Sequence, residues 1–533
     1  MEADYVLDYD VIAGAREQRL YVLARIRGSR PADLAERRPL NLSVVLDRSG
    51  SMAGDKLEYV KQAAEFLMRR LGADDLFSLV SYDDQVRVDF PAAPPVHKDA
   101  ISAAIRRITS GNMTNLSGGW MQGCQLVAEH MAAGQVNRVL LLTDGLANVG
   151  VTDPGQLAAL ARGKRGEGIT TTTMGVGMGF NEDLLTRMAA EGGGAFYFID
   201  SPDVAPQLFS EELQGLLNVI GQNLTITLTA NPPVRFVRQL HAYPARPDGP
   251  RLTFSLGDLY ADELKLLLLE FFIPGLPALG QVEVARLRFE YDELGAETVT
   301  HRSLELPIVV NAVAEEQAAG QTPHAEVVRE VLALGAARAR EQAVEHADRG
   351  EYEQASSVLK QAADAIEGSG MADERLKSEH DMLREEASDM ELGALRYDTY
   401  ARKAHHSKAH YASTAARASA SMSHELHRRM KTLREAVERG GPAPQRVRWW
   451  GSELDLTAAG TVRIGSAADN DIVLDEDEVA PHHCVIQRAG GALVLEDLNS
   501  SAGTFANGGL IDGPFRLSAG DVVTVGMALL RFE

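Results

Sequence analysis

Cysteine is nearly absent from this 533-residue chain: Cys124 and Cys484 are the only two, and they lie far apart. That excludes a disulfide framework and a cysteine metal knuckle, and it fits a reducing compartment. Long apolar runs are missing too. The greasiest stretch, LKLLLLEFFIPGLPAL from Leu264, is interrupted by Lys265, Glu270 and Pro274 and is too short to span a bilayer. It predicts buried strands. The N-terminus, MEADYVLDYD, has neither the basic region nor the apolar core of a signal peptide, so a cytoplasmic location is expected. Positive charge is scarce, with 53 Lys and Arg against 75 Asp and Glu and a formal net charge of -22. Such a chain repels nucleic acid and anionic membrane, and it suits cations or basic partners.

What is present divides into several domains, as the length requires. From 39 to 215, apolar runs such as LSVVLD, LFSLVSYDD, RVLLLTDG, GITTTTMGVG and GAFYFID alternate with helical patterns. Leu57, Val60, Ala64, Leu67 and Leu71 recur at steps of three and four, the stripe of an amphipathic helix. Strand-helix alternation predicts a doubly wound, largely parallel sheet. The stretch around Asp83 and Asp84 predicts a hairpin that adds one antiparallel edge strand. Residues 216–312 carry period-two runs with Pro and Gly between them, a β-sandwich pattern. Residues 1–38 share it, so they are expected to join that sandwich, leaving the α/β domain as an insertion.

Residues 324–440 are alanine-rich, charged and nearly free of proline, hence a helical segment. Gly350, Tyr352, Ala355 and Leu359 are placed much as in a tetratricopeptide-type hairpin, but a single unit of this kind reads as a helical hairpin rather than a solenoid. From Arg396 to Arg439 the balance turns basic, with His405, His406 and His410 among lysines and arginines; a solvated helix face is expected, with docking on an acidic partner or on this chain's own acidic domains as the alternative. GGPAPQ from Gly440 is a linker, and 445–533 has the short strands and Gly or Asn turns of a second β-sandwich. The fold class is therefore multidomain, α/β plus all-β.

The stretch LSVVLDRSGSM, residues 42 to 52, carries the chemistry. Ligands bind open α/β sheets at the carboxyl ends of the strands, where Asp47, Ser49 and Ser51 can point oxygens at one spot. Asp144 ends a second apolar run in LLLTDG, and Thr114 lies in the Gly-rich loop TSGNMTNLSGG. Hard cations such as Mg2+ take oxygen ligands of this kind. These residues resemble the von Willebrand factor A domain, whose metal-ion-dependent adhesion site is written Asp-x-Ser-x-Ser, then a loop Thr, then Thr-Asp-Gly. The resemblance implies that Asp47, Ser49, Ser51, Thr114 and Asp144 hold a divalent metal, Mg2+ first with Mn2+ or Ca2+ open. A coordination position would remain for a partner's Glu or Asp carboxylate.

Catalysis is not expected. An aspartyl phosphotransferase needs a second carboxylic acid two residues after its nucleophile, and Ser49 stands there. No motif supplies a base for a serine nucleophile; His97 and His130 sit in linker-like or helical contexts. GVGMGF from Gly175 lacks the last glycine of a dinucleotide fingerprint, and HELH from His424 is one residue short of a zinc spacing.

The C-terminal domain resembles a forkhead-associated module through VRIGSAADNDIVL, VAPHHC, LEDLNSSAGTFANG and GDVVTVG. In that family phosphothreonine is gripped by an Arg after the first Gly, a Ser three residues before the His, often with an adjoining Arg, and an Asn before a later Gly. This chain has Ser466, Ala480, Pro481 and Ala502 there, while Gly465, His483, Gly503 and Asn507 are retained as turn and loop support. Loss of the guanidinium removes the bidentate pair that makes phosphate recognition strong, and the acidic run Asp475 to Glu478 adds repulsion. A phospho-independent docking surface is expected, with Arg463 or Arg488 available to it.

The sequence thus predicts a non-enzymatic cytoplasmic scaffold that joins a metal-dependent contact to a forkhead-associated-like contact. Alternatives are a metal-dependent adhesin or matrix binder, and a phosphopeptide reader in kinase signalling. By analogy of architecture, a MoxR-type AAA+ ATPase or a Ser/Thr kinase-phosphatase system is a candidate partner.

Overall fold

A computed structural model describes residues 1–29, 37–52, 55–144, 147–177, 180–199, 205–276, 278–295, 298–392, 397, 399–414, 443–449, 451–457, 460–476, 479–489, 491–498, 500, 502–507, 509–511, 513–526 and 528–533. The chain forms two compact units. One is built mainly from Met1–Arg338, and the other takes in parts of the helical segment and the C-terminal domain.

At the centre of the first unit is a six-stranded sheet in the order Val86–Ala93, Leu76–Tyr82, Leu40–Asp47, Val136–Thr143, Thr170–Val176, Gly193–Ile199. All neighbours are parallel except the edge pair Leu76–Tyr82 and Val86–Ala93, which is the expected hairpin. Every residue of Leu40–Asp47, Val136–Thr143 and Thr170–Val176 is buried, so both faces of these strands are covered. The helix Asp55–Arg70 turns Leu57, Val60, Ala64 and Leu67 inward. The helix Leu116–Ala128 lies unusually close to the sheet. A Cβ at Gly119 would sit 2.3 Å from the Tyr82 ring and one at Gly123 would sit 2.5 Å from Val45, so glycine is required at both.

The N-terminal strands do join the later segment. Gln18–Arg27 pairs antiparallel with Leu264–Ile273 in a four-stranded sheet, and Val11–Ala13 pairs with Val299–Val313 at the edge of a six-stranded one. The α/β domain is therefore inserted in a β-sandwich. Leu20, Val22 and Ile26 face Leu224, Ile226 and Phe289 in its core. The apolar run at Leu264 fails to alternate because Leu267, Leu269 and Phe271 point into that core while Leu268 packs on Val327 and Leu334 of the helix Ala325–Asp348.

Among the described residues the helical segment carries the helices Ala325–Asp348, Tyr352–Gly368, Glu374–Glu391 and Thr399–Ser413. Gly350, with φ of 77°, makes the turn of the first hairpin in a conformation that favours glycine. The expectation of a solvated basic face is overturned for the described part of the run, because Lys403, His405, Ser407 and Lys408 are all at most 2 % exposed. The physical reason is Glu386, itself buried, whose carboxylate takes Arg340 Nε at 2.7 Å and Lys408 Nζ at 3.0 Å, with His405 Nδ1 at 3.7 Å. Burial alone would raise Glu386, but the charges of Arg340, Lys408 and His405 outweigh it and hold its carboxyl well below the ordinary range. Residues 415–442, which include HELH and the first half of the linker, lie outside the described residues.

The C-terminal domain is a sandwich of a six-stranded and a five-stranded sheet around Val447, Ile464, Ile486, Leu495, Val523 and Leu530.

Candidate metal centre

Strands Leu40–Asp47 and Val136–Thr143 are neighbours and end at the same edge, which brings Asp47 and Asp144 together. Asp47 is fully buried. Its Oδ1 accepts the Ser49 N–H at 2.8 Å, and its Oδ2 accepts the Thr143 hydroxyl at 2.5 Å. Burial pushes the Asp47 carboxyl up to about 6; hydrogen bonds from Ser49 and Thr143 oppose that rise, and the Asp144 charge adds to it. The Ser51 hydroxyl donates to Asp144 Oδ1 at 2.8 Å, and the Ser49 and Ser51 hydroxyls are 3.2 Å apart. Four of the five expected residues thus form one hydrogen-bonded cluster.

Thr114 is delivered to the same edge by its backbone. Gly111 N–H donates to the Arg48 carbonyl at 2.6 Å and Gly50 N–H to the Asn112 carbonyl at 2.8 Å, which ties its loop to the Asp47 loop. Asn148, just beyond Asp144, accepts the Thr114 N–H at 2.8 Å and returns its own N–H to the Thr114 carbonyl at 3.1 Å. The Thr114 side chain is 4 % exposed, and its hydroxyl makes no hydrogen bond to the other four.

The supporting residues were not singled out from the sequence. Arg48, the variable position of Asp-x-Ser-x-Ser, donates to Asp83 Oδ1 at 2.8 Å in a buried pair, and the Asp83 carbonyl takes the Asn115 N–H at 2.8 Å. A Cβ on Gly111 would fall 1.8 Å from Asp83 Oδ2, so that glycine is obligatory. Tyr82 is fully buried beside the cluster; burial and then the Asp47 charge push its hydroxyl well above its ordinary range. Lys56 places its ammonium on Asp144 Oδ2 and 3.2 Å from the Ser51 carbonyl. Thr143 could have been read from the Thr-Asp-Gly motif, and Lys56 from its place in the first turn after the Ser-rich loop. Asn148 has no such signal.

Chemically the cluster is two carboxylates and hydroxyl oxygens, a donor set that fits a hard divalent cation. Among the described residues there is no group of three or more His, Cys, Asp or Glu that could hold a metal. Softer metals therefore have no nitrogen- or sulfur-rich site among them.

In the C-terminal domain the retained residues hold loops. His483 is fully buried, its Nδ1 accepting the Ala480 N–H at 3.2 Å and its Nε2 lying 3.1 Å from the Gly503 carbonyl. A Cβ at Gly465 would lie 2.2 Å from the Pro481 carbonyl oxygen. Asn507, at φ of 52°, bonds Asp521 at 2.8 Å and the Val522 N–H at 3.0 Å. The Ser466 hydroxyl donates to the Val479 carbonyl at 2.9 Å. The Arg488 guanidinium donates to the Leu456 carbonyl from a half-buried position. Of the acidic run, Asp477 and Glu478 lie outside the described residues.

Comparison with known proteins agrees with this division. Residues 41–211 match the von Willebrand factor type A domain and residues 462–526 match the FHA domain. The chain thus carries one domain of each class, and both classes are protein-interaction modules. It is similar to the uncharacterized protein sll0103 of Synechocystis sp., 29% identical over 68% of this chain and 85% of that one. It is also similar to YfbK of Escherichia coli, 30% identical over 36% of this chain and 34% of that protein, so it spans about a third of that relative. Among solved structures, von Willebrand factor type A from Catenulispora acidiphila shares the fold, with a TM-score of 0.56 at 19% identity over 72% of this chain and 89% of that one. No helix among the described residues is long and apolar enough to cross a membrane.

Proposed function

We propose that this protein is a non-enzymatic adaptor whose α/β domain binds a partner through a divalent metal held by Asp47, Ser49, Ser51, Thr114 and Asp144. The observation that carries this reading is the pair of buried carboxylates, Asp47 and Asp144, brought together at the ends of adjacent strands with two serine hydroxyls against them. A metal there, Mg2+ by the hardness of its oxygens, supplies a Lewis-acidic position for a carboxylate on the partner. The protein's own part is geometric. Thr143 and the Ser49 N–H orient Asp47, Ser51 orients Asp144, and the Arg48–Asp83 pair holds the two loops at one edge.

The C-terminal module is a second contact that does not depend on phosphothreonine. In support, Ser466, Ala480, Pro481 and Ala502 offer no guanidinium, and the Ser466 hydroxyl is turned inward to Val479. A pull-down from the source organism's lysate tests both parts, run with Mg2+, with EDTA and with an Asp47→Ala, Asp144→Ala variant. Partners retained only by the wild type in Mg2+ are expected. An identical partner list in all three arms overturns the metal-bridged contact.

A further inference from the structure

The cation that touches the cluster belongs to the chain. Lys56 stands in the first turn of the helix Asp55–Arg70 and reaches back over the Ser-rich loop to pair with Asp144. Two oxygens hold its ammonium, a carboxylate oxygen of Asp144 and the carbonyl of Ser51, and both belong to residues of the proposed metal centre. The stem's path is built in as well. Gly177 has φ of 67°, and a Cβ there would lie 2.9 Å from Lys56 Cε, so a side chain at 177 would push the lysine aside. The two ends of this pair differ sharply in environment. Asp144 has a side-chain exposure of 0%, whereas that of Lys56 is 27%, so the ammonium sits at the mouth of the site on a flexible four-carbon stem.

We infer that Lys56 is an internal counter-cation that competes with the divalent ion for Asp144, so that metal enters by displacing it. The inference rests on the metal-centre reading above. Its physical basis is that an ammonium and a divalent cation cannot share the oxygens of one buried carboxylate without strong repulsion. With Lys56 in place, Asp144 keeps a partner and the domain stays folded without metal. Once displaced, the ammonium swings to water without disturbing the helix that carries it. Metal affinity is lowered by the same interaction that stabilises the metal-free site.

Isothermal titration of the full-length protein with MnCl2 tests this in the wild type, Lys56→Gln, Lys56→Arg and Asp144→Asn, with thermal unfolding to confirm that each variant folds. Lys56→Gln is expected to bind Mn2+ at least about tenfold more tightly than wild type, because one unit charge beside the site is gone. Its melting temperature should be lower without metal and rise further with it. Lys56→Arg, which keeps the charge, should stay near the wild-type affinity. If Lys56→Gln binds no more tightly than wild type while Asp144→Asn abolishes binding, the competition is wrong and the metal centre stands. If neither wild type nor Lys56→Gln gives saturable heat that Asp144→Asn removes, both readings fall.

Discussion

Carboxylates are buried in two very different ways in this chain. In the helical segment, Glu386 is ringed by Arg340 and Lys408, both at most 2 % exposed, with His405 beside them. At the carboxyl edge of the parallel sheet, Asp47 and Asp144 are as deeply buried, but hydroxyls and the Ser49 amide meet them, and Lys56 reaches in from the surface. The first arrangement supplies its own permanent counter-charges; the second supplies hydroxyls and the one ammonium of Lys56. The same physics, the cost of an uncompensated buried charge, gives a structural rivet in one place and, in the other, the cluster we propose as a metal centre.

The sharpest way to break the comparison is to remove one partner from each. Arg340→Ala should cost about 3–5 kcal/mol in urea unfolding, because it takes the buried guanidinium from Glu379 and leaves Glu386 with only part of its counter-charge. Asp144→Asn should leave the metal-free protein folded and instead abolish stabilisation by Mn2+. In the wild type that gain is about 2.7 kcal/mol when the metal is at a hundredfold excess over its Kd. Thermal unfolding with and without Mn2+ reads both. If Asp144→Asn unfolds the chain as Arg340→Ala does, the sheet edge is a rivet too.

The sequence shows these two regions unequally. Three separated motifs marked the sheet edge, two at strand ends where a ligand would bind and one in the loop before the helix Leu116–Ala128, and Asp47, Ser49, Ser51 and Asp144 do cluster there. The insertion was also legible, since period-two patterning on both sides of the α/β stretch reflects strands that share one core. The rivet was not. A run such as KAHHSKAH looks solvated until one knows that Glu386, some twenty residues earlier, lies against it, and no local pattern encodes that pairing. Likewise Arg48 occupies a variable position in its motif, and only the return of the chain through Asp83 reveals its use.

A further buried carboxylate sharpens the contrast, because it has no cation among its partners in the described residues. Asp8 is 6 % exposed and accepts the Tyr21 N–H at 3.1 Å. Burial pushes its carboxyl up to about 6, against the lowering effect of backbone hydrogen bonds. The folded chain therefore holds this proton more tightly than the unfolded chain. The resulting stability is fully present below about pH 4 and is lost as pH rises through about 6. Asp8→Asn keeps the acceptor for Tyr21 and does not ionise. Relative to wild type it should gain roughly 2 kcal/mol between pH 4 and pH 7 in urea unfolding. Asp47 titrates in the same direction, but its contribution cancels in the comparison. A difference that does not change with pH would mean that Asp8 is better solvated than its burial indicates.

The smallest effect is expected where distance alone suggests a strong pair. Arg302 meets Glu293 at 2.7 Å, the separation of Arg340 from Glu386, yet the side chains are 54% and 26% exposed. Water already screens both charges, and holding two long side chains in one geometry costs entropy that offsets the attraction. Arg302→Ala should therefore move the urea midpoint by no more than the scatter of repeat measurements, at low or high salt. A clear loss that salt abolishes would show that proximity, and not burial, decides how much a charge pair matters here. It would also undercut the division between rivet and proposed metal centre, because both Glu386 and Asp144 would then owe their behaviour to the nearest cation alone.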